Sequence, residues 1–85
     1  MKNILIFGGC GFLGSWITKA LLKKNLKITI FDLRIKTKLL KHLIGNDLNK
    51  IKFIEGDITD YEQVLKATED MNYILNLAGL MTPDC

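Results

Sequence analysis

Ile4-Leu5-Ile6-Phe7-Gly8-Gly9-Cys10-Gly11-Phe12-Leu13-Gly14 is an unbroken apolar run that ends in a cluster of glycines. A run of this kind suits a strand buried on both faces of a parallel sheet. Beyond the glycines the apolar period changes. Leu13, Trp16, Ile17, Ala20 and Leu21 recur at helical spacing over Phe12 to Lys24, with Lys19, Lys23 and Lys24 on the other side. That places Trp16 in the core. Asn25 supplies a left-handed stop. A strand, a glycine turn and a helix in immediate succession are the start of a β-α-β unit.

The same alternation continues outward. Lys27 to Phe31 is β-rich and ends at Asp32. Ile35, Leu39, Leu40, Leu43 and Ile44 are helically spaced, with Gly45 as terminator, and Asp47 to Lys50 reads as a polar turn. Ile51 to Glu55 is a third strand. Thr59-Asp60-Tyr61-Glu62 has the form of a capping box with Thr59 at the cap, opening a helix from about Asp60 to Thr68. Asn72 to Leu77 is a fourth strand. The expected fold class is α/β, a four-stranded parallel sheet in the order β-α-β-α-β-α-β along the chain, with right-handed crossovers and helices on both faces.

Composition fits. The chain has 85 residues, of which 48% are hydrophobic and 25% charged, with a single proline, and this excludes collagen-like and highly charged disordered classes. Two cysteines, Cys10 and Cys85, are too few for a disulfide scaffold and match no zinc spacing, so a reduced, cytoplasmic protein is expected. Cys10 reads as the filler of a small-residue slot; a helix N-terminus could instead activate its thiol. His42 has no second ligand at a metal spacing, and no metal site is expected. The first apolar run is too short for a signal peptide or a membrane span. Net charge is +3, with eleven of twelve Lys/Arg in residues 1–54 and seven of nine acids in 55–85. Lysines on outward helix faces account for this better than a nucleic-acid surface, since no aromatic and basic interleaving accompanies them.

The glycines fit two registers, Gly9-x-Gly11-x-x-Gly14 and Gly8-x-x-Gly11-x-x-Gly14. Either supplies a tight turn, a close backbone approach for a pyrophosphate and close packing of helix on strand. Helix N-terminal N–H groups then hold the phosphates. Asp32, 18 positions beyond Gly14, is placed to accept hydrogen bonds from the adenosine ribose. Its carboxylate favours NAD over NADP, while Arg34 two residues on could pair with a 2′-phosphate.

These residues resemble the N-terminal part of the extended short-chain dehydrogenase/reductases, the NAD-dependent epimerase/dehydratase family, over essentially the whole chain. The glycine block is similar to the family's Thr-Gly-x-x-Gly-x-x-Gly, with Phe7 in place of the Thr, and Phe12, Leu13 and Ser15 match its habitual residues. Gly56-Asp57-Ile58-Thr59-Asp60 resembles the family's Gly-Asp-(Ile/Leu/Val)-x-Asp, which implies Asp57 on the adenine amino group and Ile58 against the ring. By its residues alone Asp57 could instead help cap the third helix. Asn76-Leu77-Ala78-Gly79 resembles His-Leu-Ala-(Ala/Gly), a loop that passes the middle of the cofactor. The implied cofactor-binding residues are therefore Gly8, Gly11, Phe12, Leu13, Gly14, Asp32, Asp57, Ile58, Leu77, Ala78 and Gly79. The implied cofactor is NAD, the implied substrate of intact relatives a sugar or nucleotide-sugar, and the fold a partial Rossmann domain over residues 1–85 without a substrate domain.

The family's catalytic Tyr-x-x-x-Lys is not in this sequence: Leu65 stands four residues after Tyr61, and Leu77 four after Tyr73. No catalytic residue is named, and no hydride transfer is expected from this chain alone. The alternatives are a stand-alone, non-catalytic dinucleotide module, one that self-associates through an open sheet edge, and a nucleic-acid or anion binder using the basic first half.

Overall fold

A computed structural model of the chain describes residues 1–78. Four parallel strands, β1 (Lys2–Phe7), β2 (Leu26–Asp32), β3 (Lys52–Glu55) and β4 (Tyr73–Asn76), form one sheet in the order β3-β2-β1-β4. The helices are α1 (Phe12–Leu21), α2 (Lys38–Ile44) and α3 (Tyr61–Ala67). Two crossovers carry the chain one way, from β1 to β3. The third reverses it and lays β4 on the far side of β1. That reversal leaves a crevice at the C-terminal ends of β1 and β4, where open α/β sheets take ligands.

The central position of β1 and β2 explains their continuous apolar runs. Ile4 and Ile6 pair in register with Ile28 and Ile30, and these four join Leu40, Ile51 and Leu77 in one core, against which Ile17, Leu21 and Ile44 of α1 and α2 pack. Leu5, Phe7 and Phe31 point the other way, onto Ala67 and Val64 of α3. Phe7 and Phe31 meet edge to face, with centroids 5.2 Å apart. Helices thus cover both faces, as expected.

Three details differ from the sequence reading. The helix after Gly11 closes at Leu21 and continues as a 3-10 turn over Leu22–Lys24; Asn25 then takes the left-handed conformation (φ 57°, ψ 46°). Second, the buried face of α1 is Gly14, Ser15 and Thr18, whereas Leu13, Ala20 and Trp16 are exposed, Trp16 by 45%. Trp16 is therefore not core. A Cβ on Gly14 would lie 2.6 Å from both the Gly8 carbonyl oxygen and the Gly9 Cα, so the helix touches the turn at Gly14. Trp16, two residues and so about 200° further round, faces away. It packs instead against Phe12 and under the Lys19 ammonium, 5.3 Å from its ring. Third, α2 starts at Lys38 rather than Ile35, because the Ile35 N–H donates to Glu55 Oε1 (3.3 Å) at the end of β3. Gly45 (φ 57°) ends α2, and a 3-10 segment, Gly45–Lys50, replaces the expected turn.

Candidate functional site

The glycine turn is built by close approaches at Gly8, Gly9 and Gly14. Gly8 has φ +81°, and a Cβ there would sit 2.9 Å from the Ala78 nitrogen. Its N–H donates to the Phe31 carbonyl (2.9 Å), and its own carbonyl accepts from the Gly11 N–H (3.3 Å). Gly14 presses onto the same carbonyl, and a Cβ on Gly9 would lie 2.8 Å from the Ile30 side chain, so a glycine is called for at Gly8, Gly9 and Gly14 alike and both registers keep their close contacts.

This turn delivers α1 with its first N–H groups free. Gly11 is the N-cap (φ −72°, ψ 178°) and has no side chain to accept a hydrogen bond; the first turn carries no acid. The N–H groups of Phe12, Leu13 and Gly14 have no acceptor among the described residues, the first helical bond being Ser15 N–H to Gly11 oxygen at 2.9 Å. Unmatched donors and the positive end of the helix dipole together favour an anion at this position. Phe12 is 67% exposed beside it.

Asp32 lies at the end of β2, next to the turn. Its Oδ2 accepts from the Cys10 N–H (3.1 Å) and its Oδ1 from the Leu33 N–H (2.8 Å). A carboxylate offers about four lone-pair sites, so both oxygens keep capacity for hydroxyl donors. The Cys10 thiol is half-buried and packs against the α1/α2 core. Burial pushes its pKa up, opposed by the Lys36 N–H and reinforced by Asp32. The slot-filling role fits that environment, and thiolate activation does not.

Asp57 does not cap the third helix. Its Oδ1 accepts from both the N–H (2.9 Å) and the hydroxyl (2.7 Å) of Thr59, which hold its carboxyl below the usual value. With the Thr59 hydroxyl engaged there, the cap of α3 moves one residue on. Asp60 accepts from Glu62 and Gln63 N–H (3.1 and 3.3 Å), and the helix begins at Tyr61. Gln63 reaches back to the Asp57 N–H (2.8 Å), so α3 fixes the loop that presents Asp57 and Ile58.

Gly8, Asp32, Asp57, Ile58 and Ala78 come together around one crevice of about 100 Å³ floored by Phe7 and Phe31. Gly11, Phe12, Leu13 and Gly14 stand beside it at the helix start. Leu77 does not reach it: the side chain is buried in the α1/α2 core, and its N–H donates to the Phe7 carbonyl (2.8 Å). Asn76 Oδ1 accepts from the Ala78 N–H (3.1 Å) and shapes the strand exit. Gly79 lies outside the described residues. The sequence reading did not select Leu33 and Gly56, which also line the crevice. Leu33 had a readable signal, an apolar residue directly after the strand-ending acid. Gly56 had its place in the Gly-Asp motif.

No helix among the described residues is long and apolar enough to cross a membrane. The family model for the 3-beta hydroxysteroid dehydrogenase/isomerase family matches residues 5–83. The chain is 42% identical over 84 residues to the bifunctional polymyxin resistance protein ArnA of Wigglesworthia glossinidia brevipalpis, covering 98% of this chain and 12% of that protein. It is 34% identical over 87 residues to a UDP-glucose 4-epimerase of Neisseria meningitidis, covering 94% and 25% respectively. Its fold superposes on dTDP-glucose 4,6-dehydratase from Bacillus anthracis, solved in complex with NAD, with a TM-score of 0.76 at 28% identity, covering 92% of this chain and 27% of that one. The chain thus spans between 12% and 27% of the length of these proteins. Glycine turn, acid-ended second strand and Gly-Asp loop all lie within the matched residues, and the chain belongs to the 3-beta hydroxysteroid dehydrogenase/isomerase family of extended short-chain dehydrogenase/reductases.

Proposed function

We propose that these residues bind a nicotinamide dinucleotide, as the cofactor-holding part of an NAD-dependent epimerase/dehydratase-like oxidoreductase acting on nucleotide sugars. The observation that carries this reading is the uncapped N-terminus of α1 directly beside Asp32. The pyrophosphate would take the N–H groups of Phe12, Leu13 and Gly14, presented by the turn at Gly8 and Gly11. Asp32 would accept from the adenosine ribose hydroxyls, which supports NAD. Asp57 keeps Oδ2 for the adenine amino group, Ile58 would lie against the ring, and the backbone of Leu77 and Ala78 would follow the middle of the cofactor. Bound NAD supplies a hydride acceptor. The residues here hold it in place.

Residues 1–85 contain no Tyr-x-x-x-Lys pair, so hydride transfer would need groups beyond them. The UDP- and dTDP-sugar relatives support the sugar substrate. The cysteine usage supports a cytoplasmic setting. Tyr73 and Ile74 are 48% and 53% exposed on β4, which is an edge strand among the described residues, and this supports self-association through that edge.

Calorimetric titration of the chain with NAD tests the cofactor reading. Saturable binding that Gly11→Asp weakens is expected; no heat of binding together with no thermal shift would sink it.

A further inference from the structure

The two faces of the sheet present matched surfaces. On the side of α1 and α2, Phe12 and Trp16 are exposed and meet edge to face. Lys19 lies over the Trp16 ring, and Lys23 and Lys24 follow, exposed, at the end of the helix. Residues 12–24 hold these three lysines and no acid. Lys36, Lys38 and Lys41 add positive charge on the same side, around an open hollow of about 900 Å³ beside Cys10. On the α3 side, Tyr61 is 75% and Leu65 54% exposed, one helical turn apart on one stripe. Glu62 and Glu69 flank them, both exposed. Residues 55–70 hold six acids and a single base, Lys66. None of these charges forms an ion pair among the described residues.

Exposed apolar patches rimmed by charge mark contact surfaces, and here what each patch lacks the other carries. We infer that a second copy of this chain docks its α3 stripe, Tyr61 and Leu65, on Phe12 and Trp16 of the first, with Glu62 and Glu69 set against Lys19 and Lys23. Apolar burial supplies affinity, and the opposed charges fix partner and orientation. The patches lie on opposite faces of the sheet, since α1 packs on the core around Ile4 and Ile6 and α3 on the core around Leu5 and Phe7. The contact is therefore heterologous. It leaves one patch of each kind open at the ends of an assembly, so growth continues beyond the dimer. Pairing through the β4 edge would use neither patch.

Sedimentation of the 85-residue chain tests the inference. At about 0.01 M ionic strength the weight-average mass should rise with concentration past that of a dimer. At about 0.15 M the Debye length has shortened from about 30 to about 8 Å, and the apparent Kd should rise about tenfold. Trp16 is the single tryptophan of the chain, so its emission should shift to the blue as the chain associates. Lys19→Glu with Lys23→Glu, and separately Glu62→Lys with Glu69→Lys, should each raise the Kd about tenfold or more, because attraction becomes repulsion. An equimolar mixture of the two variants, in which each reversed patch meets its complement, should associate as the wild-type chain does. A wild-type chain that stays monomeric at low ionic strength overturns the inference, as does a mass that stops at the dimer with Trp16 emission unchanged. So do variants that associate undiminished, or a mixture that stays apart. Should a variant not fold, the salt dependence and the Trp16 emission of the wild-type chain still decide.

Discussion

The starts of α1 and α3 occupy equivalent places, each following a strand at the same end of the sheet, and they are finished in opposite ways. At α3 the sequence supplies everything the helix needs: Asp60 accepts two N–H groups, Glu62 adds negative charge to the first turn, and Gln63 ties the preceding loop. At α1 there is a glycine cap, no acid, and three N–H groups without acceptors among the described residues. The chain can satisfy a helix N-terminus when it has the residues to do so. The open one lies at the glycine turn, where a side chain would obstruct both packing and ligand approach. A helix capped by glycine gives up about 0.5 kcal/mol of capping stability and leaves N–H donors that suit an anion.

The largest effect is expected from closing the approach that makes α1 possible. Gly14→Val would drive a side chain into the Gly8 carbonyl and the Gly9 backbone. It should cost about 3 kcal/mol, measured as a shift of the urea midpoint, and abolish dinucleotide binding; an unshifted midpoint would contradict the packing described. Next comes Gly11→Asp, which gives α1 the cap that α3 has. Extended φ and ψ at Gly11 accommodate it. Stability should rise by about 0.5 kcal/mol, while dinucleotide affinity falls about tenfold or more. Affinity that survives this exchange would show the phosphates lie elsewhere.

The reciprocal change, Asp60→Ala, should lower stability by about 1 kcal/mol in the same denaturation assay. Its effect on affinity should be smaller than that of Gly11→Asp. The smallest effect concerns Asp57. Both Thr59 bonds favour its charged form, so its folded carboxyl titrates below the ordinary 3.8. A group lowered in the folded state contributes stability above its unfolded value and loses it as pH falls through the folded one. The contribution is thus intact at neutral pH and fades below about pH 3.8. An NMR titration of the Asp57 carboxyl should give a midpoint under that value, and Thr59→Val should return it upward.

Much of this was legible from residue order. The apolar runs at Ile4–Phe7 and Lys27–Phe31 are long and β-rich, as strands buried on both faces require. The glycines, Asp32 and the Gly56-Asp57 pair stand at strand ends, where short-range spacing fixes position. The helix caps were less legible. Thr59 and Asp60 are both good caps by residue type, and the choice fell to Asp60 because Asp57 captured the Thr59 hydroxyl.

Sequence by itself determined the succession of strands and helices, the glycine turn and the acids that flank it, since each depends on a residue's own backbone preference or its immediate neighbours. Tertiary structure decided the rotation of α1. Helical spacing offers an apolar stripe through Leu13 and Trp16, but contact at Gly14 turns the small face of Ser15 and Thr18 inward, because a helix can come that close to a turn only where no Cβ intervenes. It also decided that Lys36, Lys38 and Lys41, separated from Cys10 by an entire helix and strand, gather against it. Charges along a chain carry no address, and only the packing of α2 beside α1 brings them to one hollow.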